Sequence, residues 1–212
     1  MGIIKTRASL WRYTNLPSLL HILNNRHLTL LDPSTWDDSN DAYAMAQYKD
    51  KIQAKSVLAQ CFSIQNDTYH HWSIFSGKDS GVRIEFDKHL LLNSLNGKKH
   101  YRAELVSYKK ISDIPKYGFK TKDLPFLKRV PYEAEKEFRV IYESKNRALA
   151  SKSWPIDLKW IKRVTINPWM AKPLADITKN TIKKINGCEE LKVVRSTVTD
   201  NARWKKAAKN AD

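Results

Sequence analysis

Strand-like and helical runs alternate along this chain in no regular order, and that irregularity constrains the fold more than any other feature. A doubly wound or barrel fold needs strands and helices in strict rotation. Here Ser9–Thr14 reads as a strand, and Leu16–Asn25 follows as a helix with Asn15 as its cap, Pro17 in its first turn and the stripe Leu16, Leu19, Leu20 and Leu23. Leu28–Leu31 returns to strand, Asp32-Pro33-Ser34 turns, and Trp36–Asp41 reads as a polar loop. Weak helical character over Ala42–Ala54 precedes a buried strand at Leu58–Ile64, a short helix from His70 and an alternating strand at Val82–Phe86. Further strands are expected at Arg102–Tyr108, Glu137–Tyr142, Ile161–Ile166 and Leu191–Val194, with helices at Lys88–Leu95 and Asp176–Asn186. The pattern predicts an α+β fold in a single domain, 1–212, with a basic C-terminal tail from about 201.

Charge is placed as unevenly as structure. Residues 1–106 carry 13 basic and 10 acidic side chains, whereas residues 107–212 carry 25 and 12. A basic surface after residue 106 attracts phosphate backbones and releases their counterions, so nucleic acid is the expected partner. Two cysteines, Cys61 and Cys188, exclude a disulfide framework and a four-cysteine zinc site. No apolar run approaches membrane-spanning length and the N-terminus has no signal-like core, so a cytoplasmic protein with no membrane partner is expected.

The chain contains no glycine-rich phosphate loop, dinucleotide fingerprint or zincin helix. His70 and His71 are adjacent and cannot face one metal from a helix. Asp37, Asp38 and Asp41 could hold a hard cation, or could serve turns and caps; no metal is assigned. Glu133, Glu135 and Glu137 are spaced by two, so on a strand they share a face. Such neighbours repel and raise at least one pKa. They either bridge to nearby lysines or form a catalytic strand in which Glu137 binds a ligand hydroxyl and Glu135 assists. Arg12-Tyr13-Thr14 offers a guanidinium, a ring and a hydroxyl at a strand-to-helix corner. That corner suits a phosphate or ribose through the arginine fork and the N–H groups of the next helix. A surface arginine beside a core tyrosine is the plainer alternative.

Several blocks taken together resemble a widespread bacterial family of uncharacterised proteins, a domain of unknown function whose members include phage-defence genes. They are Trp11-Arg12-Tyr13-Thr14-Asn15-Leu16, Leu30–Asp38, Gln60-Cys61-Phe62-Ser63, His71-Trp72, Ser80–Asp87, Val106-Ser107-Tyr108, Phe126-Leu127-Lys128-Arg129, Tyr132 with Glu135-Lys136-Glu137-Phe138-Arg139, Pro168-Trp169 and Arg195-Ser196-Thr197. The plan is similar to that of ADP-ribosyltransferases, which open with a strand ending in His or Arg followed by Thr, and carry a late catalytic Glu in a strand. Arg12, Thr14 and Glu137-Phe138-Arg139-Val140 match those elements, and Phe62-Ser63 stands for the middle one. The resemblance implies a compact mixed sheet core flanked by helices, with NAD as cofactor. Arg12 would hold the NAD diphosphate, with Thr14 in the same motif. Ser63 would support the nicotinamide ribose, and Tyr13 or Trp72 would stack on a ring. Glu137 would bind the ribose 2′-OH while Glu135 orients or deprotonates the attacking group. The implied function is a toxin or phage-defence effector that modifies RNA or DNA, with an antitoxin or chaperone as a further partner. The alternatives are a non-catalytic nucleic-acid-binding protein and, behind it, a metal-dependent nuclease on the aspartates.

Overall fold

The structure, a computed structural model, describes residues 8–77 and 79–211. In chain order the elements are β1 (Ser9–Asn15), α1 (Leu16–Asn25), β2 (His27–Leu31), α2 (Ser39–Lys51), β3 (Ser56–Ser63), α3 (Tyr69–Phe75), β4 (Gly81–Asp87) and α4 (Lys88–Asn93). There follow β5 (Tyr101–Leu105), β6 (Ser107–Lys109), β7 (Leu127–Arg129), β8 (Glu137–Ser144), β9 (Ser151–Pro155), β10 (Ile161–Ile166), α5 (Lys172–Lys183), β11 (Val193–Arg195) and α6 (Ala202–Lys209). The expected α+β plan, mixed sheet and flanking helices, is the one observed.

The described residues form two compact units. The first contains residues 8–10, 27–64 and 88–156. Its strands run β5-β8-β3-β2-β9, every neighbouring pair antiparallel. β8 lies between β3 and β5 and is buried over its first five residues. Met45 and Tyr48 of α2 pack with Val57, Ala59, Phe126 and Ile141 into one apolar cluster. The second unit contains residues 11–26, 65–77, 79–87 and 157–211. There β10 pairs β11 in parallel and β4 antiparallel, and the inward residues Val82, Ile84, Val164 and Ile166 are buried. No helix among the described residues is long and apolar enough to cross a membrane.

Three expectations need correction. Glu133 and Glu135 are not on a strand with Glu137. Pro131 seeds a 3-10 helix, Val130–Glu135, Lys136 takes a left-handed φ of 46°, and the strand starts only at Glu137. The helix expected at Asp176–Asn186 is α5, which starts four residues earlier and ends three earlier, because Pro173 sits in the first turn, where its missing N–H is no loss. The strand expected at Arg102–Tyr108 breaks at Val106, whose N–H donates to the Glu137 carbonyl at 3.0 Å. The sequence also left β7 and β9 unassigned.

One glycine is required by close packing. A Cβ at Gly81 would stand 2.5 Å from both the carbonyl oxygen and Oγ of Ser76. Gly81→Ala should therefore destabilise the protein by about 1–3 kcal/mol, read as a lowered midpoint in thermal or urea unfolding. An unchanged midpoint would show that the Ser76 turn yields freely.

Candidate active site

The first unit holds a buried cluster of five charged side chains. Glu137 and Arg139 are two apart on β8 and so share a face. Arg139 Nε donates to Glu137 Oε1 at 2.7 Å, and Nη2 donates to Oε2 at 2.9 Å. From α2, Asp41 meets the other edge of the guanidinium: Nη1 donates to Oδ1 at 2.9 Å and Nη2 to Oδ2 at 2.7 Å. Nη1 also donates to the Pro125 carbonyl at 2.8 Å. All five N–H groups of Arg139 are thereby used, and the indole of Trp36 covers the guanidinium at 4.6 Å. Arg139 is 0% exposed and Glu137 only 6%.

Lys128, on β7, closes the cluster. Its Nζ lies 2.6 Å from Glu135 Oε2, 3.6 Å from Glu137 Oε2 and 3.7 Å from Asp41 Oδ2. Ser63 stands opposite Glu137 in the β3–β8 ladder, and its Oγ donates to the Glu135 carbonyl at 2.8 Å. The Glu137 N–H donates to Tyr108 Oη at 2.8 Å. Glu135 thus reaches the cluster from a helical turn rather than from a shared strand face.

The two glutamates titrate in opposite directions. Burial pushes both carboxyls up. At Glu137 the Arg139 guanidinium, with its hydrogen bonds and with Lys128 nearby, outweighs burial and holds the pKa below the usual carboxylate value. At Glu135 burial prevails over Lys128, and the pKa is raised. Burial raises Asp41 as well, despite Arg139. Burial alone would lower Lys128, but the three carboxylates around it raise its pKa and keep it charged. One carboxyl is therefore shifted below the usual value and its neighbour above it, a separation suited to two different chemical roles.

In the second unit, Arg12, Tyr13 and Thr14 are each half-buried at the end of β1. Tyr13 stacks on His71 at 5.3 Å and meets the edge of Trp72 at 5.2 Å. Trp72 is 0% exposed and its Nε1 donates to Asp67. The ring expected to stack on a ligand is therefore spent inside, where it fixes Tyr13. Arg83, buried on β4, donates to Asn66 Oδ1 at 3.2 Å and approaches Asp67 at 3.6 Å. The first turn of α1 is not an open phosphate site. Leu16 N–H donates to Ser80 O at 2.8 Å, Ser18 N–H donates to Asn15 Oδ1 at 2.9 Å, and Pro17 has none.

Ser63, Glu135 and Glu137 are thus gathered in the first unit, and Arg12, Tyr13, Thr14 and Trp72 in the second. Arg139, Lys128 and Tyr108 lie in the blocks that carry the resemblance, but the sequence assigns them no place in the site. Arg139 was legible, since it follows Glu137 at strand period; nothing local marks Lys128. The aspartates have other work: Asp38 caps α2 and Asp41 binds Arg139. Among the described residues no group of three or more His, Cys, Asp and Glu is placed to hold a metal.

No family model matches the chain, and no curated protein matches it by sequence. Solved structures of one class do resemble it, each a protein bound to NAD, an NAD analogue or a modified nucleic acid. That protein is DarT of Thermus sp. 2.9. In complex with NAD+ it shows a TM-score of 0.48 at 10% identity, over 89% of this chain and 95% of its own. In complex with ADP-ribosylated ssDNA it shows 0.46 at 11%, over 89% and 94%. In complex with carba-NAD+ it shows 0.46 at 10%, over 90% and 96%.

Proposed function

We propose that this chain is an NAD-dependent ADP-ribosyltransferase whose acceptor is nucleic acid. The observation that carries the reading is the pair of opposed carboxylates: Glu137 is held ionised by Arg139, and Glu135 beside it is raised. Leaving of nicotinamide breaks the C1′–N bond, and the electron pair departs with the base. The ribose then carries oxocarbenium-like positive charge. An ionised carboxylate that accepts a hydrogen bond from the 2′-OH stabilises that charge. Arg139 engages one lone pair on each Glu137 oxygen, and Cys61 and Lys128 also approach the carboxylate, so the ribose hydroxyl would take the acceptor site they leave. As the acceptor forms its bond to C1′ it loses a proton, and Glu135 is the group to take it. Arg12 is assigned to the diphosphate, and Tyr13 and Thr14 to the ribose and ring. Ser63 supports the β3–β8 end through its bond to Glu135.

The basic second half supports nucleic acid as the acceptor. α6 is solvent-exposed along its length, with Arg203, Lys205, Lys206 and Lys209 around an exposed Trp204. A toxin or phage-defence role, with an antitoxin or chaperone as partner, in the cytoplasm, and membership of the family that the sequence blocks resemble, belong to the same proposal. Incubation with labelled NAD and single- or double-stranded DNA or RNA tests the chemistry. Nicotinamide release with label in nucleic acid is expected; neither product would overturn the reading.

A second reading has its own observation, the complete satisfaction of Arg139. A purely structural ion cluster would look the same, and the protein would then bind nucleic acid without NAD. Binding would weaken steeply with salt, and affinity that survived 0.5 M salt would exclude it.

A further inference from the structure

α6 gives nothing to the interior, since none of its eight residues is buried. A helix this short is marginal without packing. Local contacts hold it. Asn201 Oδ1 accepts from the N–H groups of Arg203 and Trp204, at 3.0 and 3.1 Å, and Lys206 and Lys209 in the last turn complement the helix dipole.

The helix has a narrow composition. Arg203, Lys205, Lys206 and Lys209 are its charged residues, all basic and all exposed, and every other position but Trp204 is alanine. Lys205 pairs with Asp200 at 2.7 Å, an exposed contact that contributes little and yields to a phosphate. Trp204 is 78% exposed, whereas the other six tryptophans are buried or half-buried. Residues 198–201 and the facing side of α6 frame a groove of about 720 Å³, with Val198, Arg203, Trp204 and Lys205 on its walls.

Cations around one ring discriminate among the surfaces that a basic helix can meet. An apolar protein groove takes large anchors three and four residues apart, but positions 207 and 208 are alanine and positions 200 and 201 are Asp and Asn. A membrane-surface helix needs a broad apolar face, which a single indole does not supply. Duplex nucleic acid satisfies the cations but keeps its bases stacked on one another. A single strand satisfies both features, with phosphates for the cations and an open base face for the indole.

We propose that α6 is a docking element for single-stranded nucleic acid. One unpaired base stacks on Trp204, and the adjoining phosphates meet Arg203, Lys205, Lys206 and Lys209. No side chain of the helix carries a hydroxyl, amide or carboxylate to accept the 2′-OH hydrogen, so DNA and RNA bind alike. The inference rests on the proposed function only for nucleic acid as the partner, and it stands whether or not NAD is turned over.

The test is fluorescence anisotropy of the full chain, without NAD, on one labelled mixed-sequence 20-mer prepared as single-stranded DNA, single-stranded RNA and duplex DNA. Trp204→Ala should weaken binding of both single strands about tenfold and of the duplex less than about twofold, and Trp204→Phe, which keeps a ring, should recover most of the loss. Lys206→Ala combined with Lys209→Ala should flatten the dependence of log K on log salt for single-stranded DNA by about 1.4, two phosphate contacts at about 0.7 each. Every substituted side chain is exposed and alanine is the strongest helix former, so the variants keep the fold. Equal weakening of single strand and duplex, no effect of Trp204→Ala, or a wild-type chain that binds no single strand would overturn the proposal. So would Trp204-dependent binding of phosphatidylserine vesicles that a saturating single strand does not displace, which would assign the helix to a membrane surface. Nicotinamide release is followed on the same preparation. Its absence would overturn the transferase reading, while the effect of Trp204 on single-strand binding would still decide the role of α6.

Discussion

Replacing Glu137 by glutamine is expected to reduce NAD turnover by about a hundredfold or more. The carboxylate has the ionised form that charge stabilisation needs, because Arg139 overcomes the effect of burial. Glutamine keeps the size and one acceptor but loses the charge. It also sets an amide N–H₂ against Arg139, where Nη2 now donates to Oε2 at 2.9 Å. A donor facing a donor in a buried site costs about 1–3 kcal/mol, so the variant should also unfold at lower urea. Turnover must therefore be measured well inside the folded baseline. A folded Glu137→Gln protein with full turnover would remove Glu137 from the chemistry. Glu135 makes a distinct prediction through pH. Its raised pKa shifts the acid limb of kcat/KM to higher pH than an ordinary glutamate would give, because activity falls as pH drops through the pKa of the base. Glu135→Gln should lower the plateau and erase that limb.

The parts of this architecture that were legible in the sequence are those decided locally. Helix α1 could be placed to the residue, because Asn15, Pro17 and the leucine stripe are short-range signals. β8 was legible because Glu137–Tyr142 is a run of strand-forming residues, buried over its first five positions, and the spacing of Glu135 and Glu137 marked its start as a candidate site. The reasoning behind that spacing was only half right. Glu135 and Glu137 do meet, but a proline-seeded 3-10 turn and a left-handed Lys136 bring them together, not strand alternation. Lys128 and Asp41 were out of reach for a different reason. They come from β7 and α2, and Asp41 lies 98 residues from Arg139 along the chain. A lysine among many lysines and an aspartate among three carry no mark of being buried until the tertiary contacts are drawn. Trp72 shows the opposite failure. Its aromatic character suggested a ligand platform, but the interior took the ring first.

The largest effect on stability should come from Arg139. Arg139→Met preserves length and apolar contact beneath Trp36 but removes the group that satisfies both Asp41 and Glu137. Lys128 cannot replace it, because it lies 3.6 Å from Glu137 and 3.7 Å from Asp41 and already binds Glu135. Two buried carboxylates without their partner should cost roughly 3–5 kcal/mol. Arg139→Lys restores a charge without the two-edged fork and should recover only part of the loss. The pH dependence separates this account from a simple packing defect. In the wild-type chain the lowered Glu137 contributes stability above its unfolded pKa, and that contribution is lost as pH falls through the folded value. In Arg139→Met, burial raises Glu137 together with Asp41, so the folded state takes up protons before the unfolded state does. Acidification from pH 7 toward pH 5 should then restore stability to the variant relative to wild type. Urea unfolding of both proteins at the two pH values measures this directly. A loss under about 1 kcal/mol, or a gap that stays constant on acidification, would mean that the guanidinium does not hold the carboxylates in the ionised form the proposed chemistry requires.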